Sequence, residues 1–291
     1  MSAPHLENRL PDEGINTSNE HPLKEFAWVV GVGLLVLALI LALTTWLAGW
    51  AAPKIPFKYE VQLAQRVGLG DLNPKHTEQH QALQALTDRL ATKMDLPQGM
   101  MIVVSYNPSS TVNAYATIGG QLVVYGGLLA KLPTESALAT LLAHEIAHVK
   151  HRHVAASMGR GMGIALVLSL LSADVGGQVA QSVFSASSQL ALMNYSRDHE
   201  NQADEEALRA TVALYGHGAG YLELFEVLQK EESKLPEAMR STGVFRSHPL
   251  TQDRQEHARM LAQRSGWSLQ GISPALPDAL RQLSKTPSEQ K

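Results

Sequence analysis

His144-Glu145-Ile146-Ala147-His148 sets two histidines four residues apart, with a glutamate directly after the first. On a helix, residues at that spacing share one face, with Cβ atoms roughly 5–6 Å apart. Both imidazoles can then reach one metal ion. Glu145 projects beside the metal rather than onto it, where it can take the proton of an attacking water. Zinc suits this pattern, since it lowers the pKa of a water toward about 7. A surface helix with two unrelated histidines is the plain alternative in a chain with 12 histidines. The apolar neighbours Leu138, Leu141, Leu142 and Ile146 argue against it, because they put the pair on a packed helix that could wall a cleft.

A catalytic zinc needs a third protein ligand and an open fourth position. The candidate ligand is Glu200, within the stretch Tyr195-Ser-Arg-Asp-His-Glu-Asn-Gln-Ala-Asp204. Glu200 and Asp204 are again four apart, so Asp204 is placed to accept the free N–H of a ligating histidine and fix its tautomer. Taken alone, Asp198, Glu200, Asp204, Glu205 and Glu206 read equally as a solvated acidic face. The histidine pair upstream turns that reading toward a ligand. Ser247-His248-Pro249-Leu250, followed by Arg254, fits a bare helix start. It also fits His248 or Arg254 aimed at the oxyanion that forms on a scissile carbonyl.

The elements that must carry these residues can be read around them. Pro133-Thr134-Glu135 opens the histidine helix, with Thr134 as N-cap and Glu135 favourable in the first turn. Leu83, Leu86, Leu90 and Met94 recur at helical spacing and predict a helix over 77–94. Three strands are predicted at 101–106, 112–117 and 121–126, with Asn107-Pro108 and Gly119-Gly120 as turns, the last two strands forming a hairpin. Further helices are predicted over about 190–213 and 250–264, with a short one at 278–283. The apolar stretch Gly161–Leu171 is too short to span a bilayer. It fits a buried helix, a mobile lid running on to Ser188, or a surface that touches lipid. His151 and His153 are expected to be exposed or to bond last-turn carbonyls. Met158, Met162 and Met193 are expected to pack, and Glu223 and Glu226 to be surface charge.

Phe26 to Trp50 is a run of 25 residues without a charge. As a helix it would reach about 37 Å, enough to cross a hydrocarbon core of about 30 Å with tilt. Trp28, Trp46 and Trp50 lie near its ends, where interfacial aromatics belong. The expected organisation is a disordered polar tail (1–25), a transmembrane helix (26–50) as the contact with the bilayer, a linker (51–74), one compact domain (75–265) and a tail (266–291). The predicted class is α+β, mainly helical, with a small antiparallel sheet. Twenty-four Lys and Arg against 27 Asp and Glu give a net charge of -3, and no basic excess points to nucleic acid. The chain has no cysteine, which excludes disulfides, thiolate metal ligands and a cysteine nucleophile. Lys24 precedes the span, whereas Lys54, Lys58 and Arg66 follow it. That distribution leans toward a cytoplasmic C-terminal domain.

HEIAH at 144–148, YSRDHENQAD ending at Asp204, and SHPLTQDR at 247–254 together resemble the M48 zinc metallopeptidases, a family that includes the HtpX-type membrane proteases and BepA-like quality-control proteases. The stretch from Val112 through Gly126-Gly127-Leu128-Leu129 is similar to the strand pair that precedes that family's zinc helix. The resemblance covers roughly residues 75–262. It implies a gluzincin-like domain with one Zn2+ per chain, His144, His148 and Glu200 as ligands, Glu145 as base and Asp204 behind the ligands. It further implies that the strand around Asn113, Ala114, Tyr115 and Ala116 pairs with an extended peptide substrate, and that His248 and Arg254 stand near the metal. A single span ahead of the domain resembles the branch that acts on misfolded envelope proteins, which leans toward the periplasm. The expected activity is endopeptidase. A metal-bearing chaperone-like module, or a protease closed by His248 or the 158–188 segment, are the alternatives.

Overall fold

The structure is a computed structural model that describes residues 22–66, 78–171, 195–237 and 244–281. It divides into two units, 1–43 and 44–291. Helix α1 (Pro22–Ala51) supplies the described part of the first unit. With the turn that follows, it forms a stretch, Leu23–Lys54, long and apolar enough to cross a membrane and unburied by the protein. At its end, Trp46 and Trp50 stack with centroids 6.5 Å apart, and the Lys54 ammonium sits 3.2 Å over the Trp50 ring. Most of the polar tail, expected over 1–25, lies outside the described residues.

The stretch expected as a linker carries a helix, α2 (Phe57–Arg66), with Glu60 and Ala64 buried; residues 67–74 lie outside the described ones. Helix α3 (Glu78–Ala91) forms where the leucine spacing predicts it, with Leu83, Leu86 and Leu90 all buried. Strands β1 (Val103–Asn107), β2 (Ala114–Thr117) and β3 (Gln121–Tyr125) follow. Gly119 and Gly120 turn the hairpin at φ 76° and 77°, in the left-handed region that glycine enters without cost to a Cβ. β2 and β3 pair antiparallel, with Ala114 opposite Val124 and Thr117 opposite Gln121.

The sheet differs from the expected antiparallel one in its third strand. β1 joins parallel to β3, giving the order β1-β3-β2. The reason is burial: β3 has Leu122, Val123 and Val124 all buried, so it takes the centre and leaves β1 and β2 at the edges.

After a short turn of helix, α4 (Gly126–Leu129), comes α5 (Glu135–Lys150). Thr134 caps it, its hydroxyl accepting from the Ala137 N–H at 3.1 Å. Ser136 through Val149 are buried all round, as befits a helix at the centre of a domain. Glu223 was expected at the surface; instead it is tied down, accepting from the hydroxyls of Thr134 and Ser273.

Helix α6 (His153–Leu171) covers the described part of the second apolar stretch. Its Gly159 backs directly onto the Ala48 carbonyl, where a Cβ would stand 2.6 Å from the oxygen. Met158 is buried and Met162 exposed; Met193 and the 172–188 part of the lid reading lie outside the described residues. Helix α7 (Arg197–Tyr215) is capped by Ser196 and ended by Gly216 at φ 78°. Helices α8 (Ala219–Ser233), α9 (Val244–Ser247), α10 (Gln252–Ser265) and α11 (Asp278–Arg281) complete the order. α5 packs against α3, α7, α8 and β2, so the helix that bears the histidines is also the hub of the core.

Candidate metal centre

Four donors converge at the middle of α5. Ligand atoms of His144, His148, Glu200 and His248 all lie within 4.8 Å of one another, and all four residues are buried. The i, i+4 spacing on α5 puts His144 Nε2 and His148 Nε2 3.1 Å apart. α7 crosses that face and brings Glu200, whose Oε1 stands 3.4 Å from His148 Nε2 and whose Oε2 stands 3.6 Å from His144 Nε2. Two imidazole nitrogens and a carboxylate, turned toward one point in the protein interior, fit a divalent cation.

Asp204, one turn after Glu200, stands 3.0 Å from His144 Nδ1. A carboxylate only accepts, so His144 carries its proton on Nδ1 and keeps the Nε2 lone pair for the site. Burial alone would raise the Asp204 pKa. The Arg254 guanidinium and the His144 N–H overcome that and hold the carboxyl well below its usual range. The Tyr221 hydroxyl adds a third donor at 3.0 Å.

Arg254 enters from the first turn of α10, which Thr251 caps. Its Nε and Nη2 grip the two Asp204 oxygens at 2.7 and 2.8 Å. Its Nη1 donates to the Pro249 carbonyl at 3.0 Å and stands 2.7 Å from Glu200 Oε2. These contacts engage the guanidinium, which the sequence offered with His248 as a candidate for an oxyanion. His248 directly follows the short α9, with Nδ1 3.0 Å from Glu200 Oε1 and Nε2 3.6 Å from Glu145 Oε1. Burial lowers the His248 pKa, but the Glu200 and Glu145 carboxylates outweigh it and raise it.

Glu145 is buried on α5, and its Oε2 has no hydrogen-bond partner. A buried carboxylate oxygen left unpaired is costly, and a water or substrate N–H brought to it would satisfy it. Beside it, Leu141, Leu224, Phe225, Leu228 and Val244 line the apolar side of a pocket whose polar lining includes His144, Glu145 and His248.

The strand residues Asn113, Ala114, Tyr115 and Ala116 belong to the edge strand β2 and the residue before it. Asn113, Ala114 and Ala116 are buried, Tyr115 partly so, and the Asn113 Oδ1 is unpaired. α5 packs against β2, which keeps this edge beside the helix that carries Glu145.

Two contributors carried no role in the sequence reading. Tyr195 is buried and stacks on the His148 ring with centroids 3.9 Å apart. His153, expected to be exposed or to bond last-turn carbonyls, is buried against His148 with their Nδ1 atoms 3.1 Å apart. The positive φ of Arg152, 62°, ends α5 and turns the chain back so that His153 faces inward. Neither the HRH spacing nor its polarity signals that bend.

The sequence model described as Peptidase family M48 matches residues 77–262. Among curated proteins, the beta-barrel assembly-enhancing protease of Escherichia coli (strain K12) is 23% identical over 219 residues, covering 68% of this chain and 44% of that protein. The protein of that name from Yersinia pestis is 27% identical over 157 residues, 51% of this chain and 32% of the relative. Metalloprotease LoiP of Escherichia coli (strain K12) is 25% identical over 193 residues, 64% of this chain and 71% of LoiP. The chain thus spans less than half the length of the assembly-enhancing proteases it matches. The family match begins at the threshold of α3, takes in the sheet and every residue of the buried donor cluster, and closes within α10, so that fold and site share one ancestry: the chain belongs to peptidase family M48.

Proposed function

We propose that this chain is a membrane-anchored, zinc-dependent endopeptidase. α1 is its anchor, its catalytic domain faces the periplasm of a bacterial inner membrane, and its substrates are misfolded or envelope proteins. The observation that carries the reading is the placement of Glu145. Its unpaired, buried Oε2 stands on the same helix as two histidines whose lone pairs converge with Glu200. The relatives named for enhancing beta-barrel assembly support an envelope substrate, since such barrels are outer-membrane structures.

His144, His148 and Glu200 hold the metal. When bound, zinc supplies Lewis acidity toward a scissile carbonyl and lowers the pKa of a water at the site. Glu145 takes the proton of the attacking water and passes it to the leaving amine. His248, its pKa raised by two carboxylates, donates to the oxyanion. Asp204 and Arg254 hold the ligands in register. The edge of β2 over Asn113–Ala116 adds an extended peptide as a further strand.

The test uses the full chain in detergent. Bound metal is counted, and degradation of casein is followed for wild type beside Glu145→Gln. One zinc per chain in both, with turnover about 10²–10⁴-fold lower in the variant, is expected. Cleavage at the native rate by Glu145→Gln overturns the mechanism, and zinc without cleavage in either points to a chaperone-like holding module. A second reading rests on His248, which stands 3.2 Å from His144 Nε2. In that reading it closes the site until a substrate displaces it.

A further inference from the structure

A file of polar side chains leads away from His148 toward the surface. His153 Nδ1 lies 3.1 Å from His148 Nδ1, and its Nε2 lies 3.0 Å from Gln202 Oε1. Gln202 Nε2 is 3.0 Å from His151 Nδ1, and His151 Nε2 stands 3.6 Å from Glu206 Oε1. The protons along this file can be assigned from the Gln202 amide, whose N–H faces His151 Nδ1, so that His151 accepts there. That orientation turns the Gln202 carbonyl oxygen to His153. That oxygen must receive a proton, so His153 carries its own on Nε2 and is bare at Nδ1. One hydrogen must lie between two ring nitrogens 3.1 Å apart, and only His148 can supply it.

We propose that His153 is a positioning residue for the metal: its Nδ1 accepts the Nδ1–H of His148 and locks that ring in the tautomer whose Nε2 lone pair faces Glu200 and His144. Among the described residues no carboxylate does this for His148, whereas Asp204 does it for His144. His153 is buried. His199 stacks flat on it, with centroids 4.0 Å apart. The inference rests on the metal-site reading above, and its test separates the two.

Zinc affinity is measured by chelator competition on the full chain in detergent, for wild type, His144→Ala, His153→Phe and His153→Gln. In the metal-free protein, nitrogen NMR reads which ring nitrogen of His148 is protonated. His144→Ala should lose tight binding. His153→Phe, which keeps the shape but cannot accept, should weaken zinc about 10–100-fold and let the His148 proton divide between its two nitrogens. His153→Gln, whose carbonyl can accept, should restore both readouts toward wild type; a role in packing alone would not give that rescue.

Wild-type affinity in His153→Phe, beside a weakened His144→Ala, overturns the proposal and leaves the metal site standing. Unchanged binding in His144→Ala sinks the metal site instead, and the NMR signature still decides the role of His153. Should His153→Phe fail to fold, Gln202→Leu at the solvent-facing end carries the test. It should shift the His148 signature in the same direction, and an unmoved signature overturns the proposal.

Discussion

Asp204 Oδ1 stands 3.0 Å from His144 Nδ1, and the same carboxylate is gripped by Arg254 through two N–H donors at 2.7 and 2.8 Å. One buried anion thus orients the His144 imidazole on α5 and fixes the start of α10. Without His144 and Arg254 its charge would be prohibitive in the interior. Asp204→Asn keeps an acceptor for the imidazole but loses the charge that draws the His144 N–H and pairs with Arg254. Zinc affinity is expected to fall about 10–100-fold, read by chelator competition. An affinity equal to wild type would remove Asp204 from the orientation of His144.

Arg254→Ala should be the more damaging change to the fold. It strands Asp204 and leaves Glu200 without its guanidinium partner, both buried. Breaking such a buried pair costs about 3–5 kcal/mol, measurable as a lowered unfolding midpoint of the metal-free chain. Arg254→Lys should recover only part, since an ammonium cannot reproduce the two-pronged grip.

The same pair sets an acid limit. Asp204 is held well below its ordinary range, so its ionised form favours the folded state. That contribution is complete above the unfolded carboxylate pKa, about 3.9, and drains away as pH falls from there toward the folded value. Glu200 is shifted the same way: burial opposes, and His248 with Arg254 prevails. The metal-free wild type should lose stability steeply below about pH 4. In Arg254→Ala the burial of Asp204 goes unopposed by that cation, and the acid loss should flatten. Equal slopes in thermal melts across pH 3–6 would contradict this.

Much of the convergence at this candidate centre was legible in the sequence because its donors come at helical spacing. His144 with His148, and Glu200 with Asp204, announce which helix faces meet. The leucines of α3 and the Thr134 cap are local signals of the same kind. What escaped is non-local. The parallel seat of β1 depends on which strand is most buried, and α2 is short and polar enough to read as linker. Arg254 could be placed near the donor cluster, but only the crossing of α7 and α10 reveals that it is engaged by Asp204, Glu200 and the Pro249 carbonyl. The burial of His153 turns on a single left-handed residue, Arg152.

His248 separates the two readings of the site. As an oxyanion donor, its loss should lower kcat about 10²–10³-fold with zinc still bound. His248→Ala in the casein assay, with metal counted in parallel, measures this. A rise in basal turnover would instead identify the ring as a gate, because its Nδ1 already occupies Glu200 Oε1 at 3.0 Å.

The stretch after α1 is clasped to the end of the histidine helix by an ion pair. Arg152 Nη2 lies 2.6 Å from Glu60 Oε1 on α2 and donates to the Ile55 carbonyl at 2.6 Å, with its guanidinium over the Phe57 ring. Burial raises the Glu60 pKa, and Arg152 opposes that rise. Removing Arg152 alone should therefore hurt most, since it leaves Glu60 buried and uncompensated; Arg152→Ala is expected to cost about 3–5 kcal/mol. Arg152→Gly should cost less than Arg152→Ala, because glycine relieves the left-handed backbone by about 1 kcal/mol. Adding Glu60→Gln to Arg152→Ala should recover part of the loss, so that the double variant is more stable than the sum of the two single effects predicts. Thermal unfolding of the five detergent-solubilised chains (wild type, the three single variants and the double), each with metal removed, reads all three comparisons. Strict additivity would mean that the pair is a contact of convenience, and that α2 is held to the domain by Ala64 and its apolar neighbours instead.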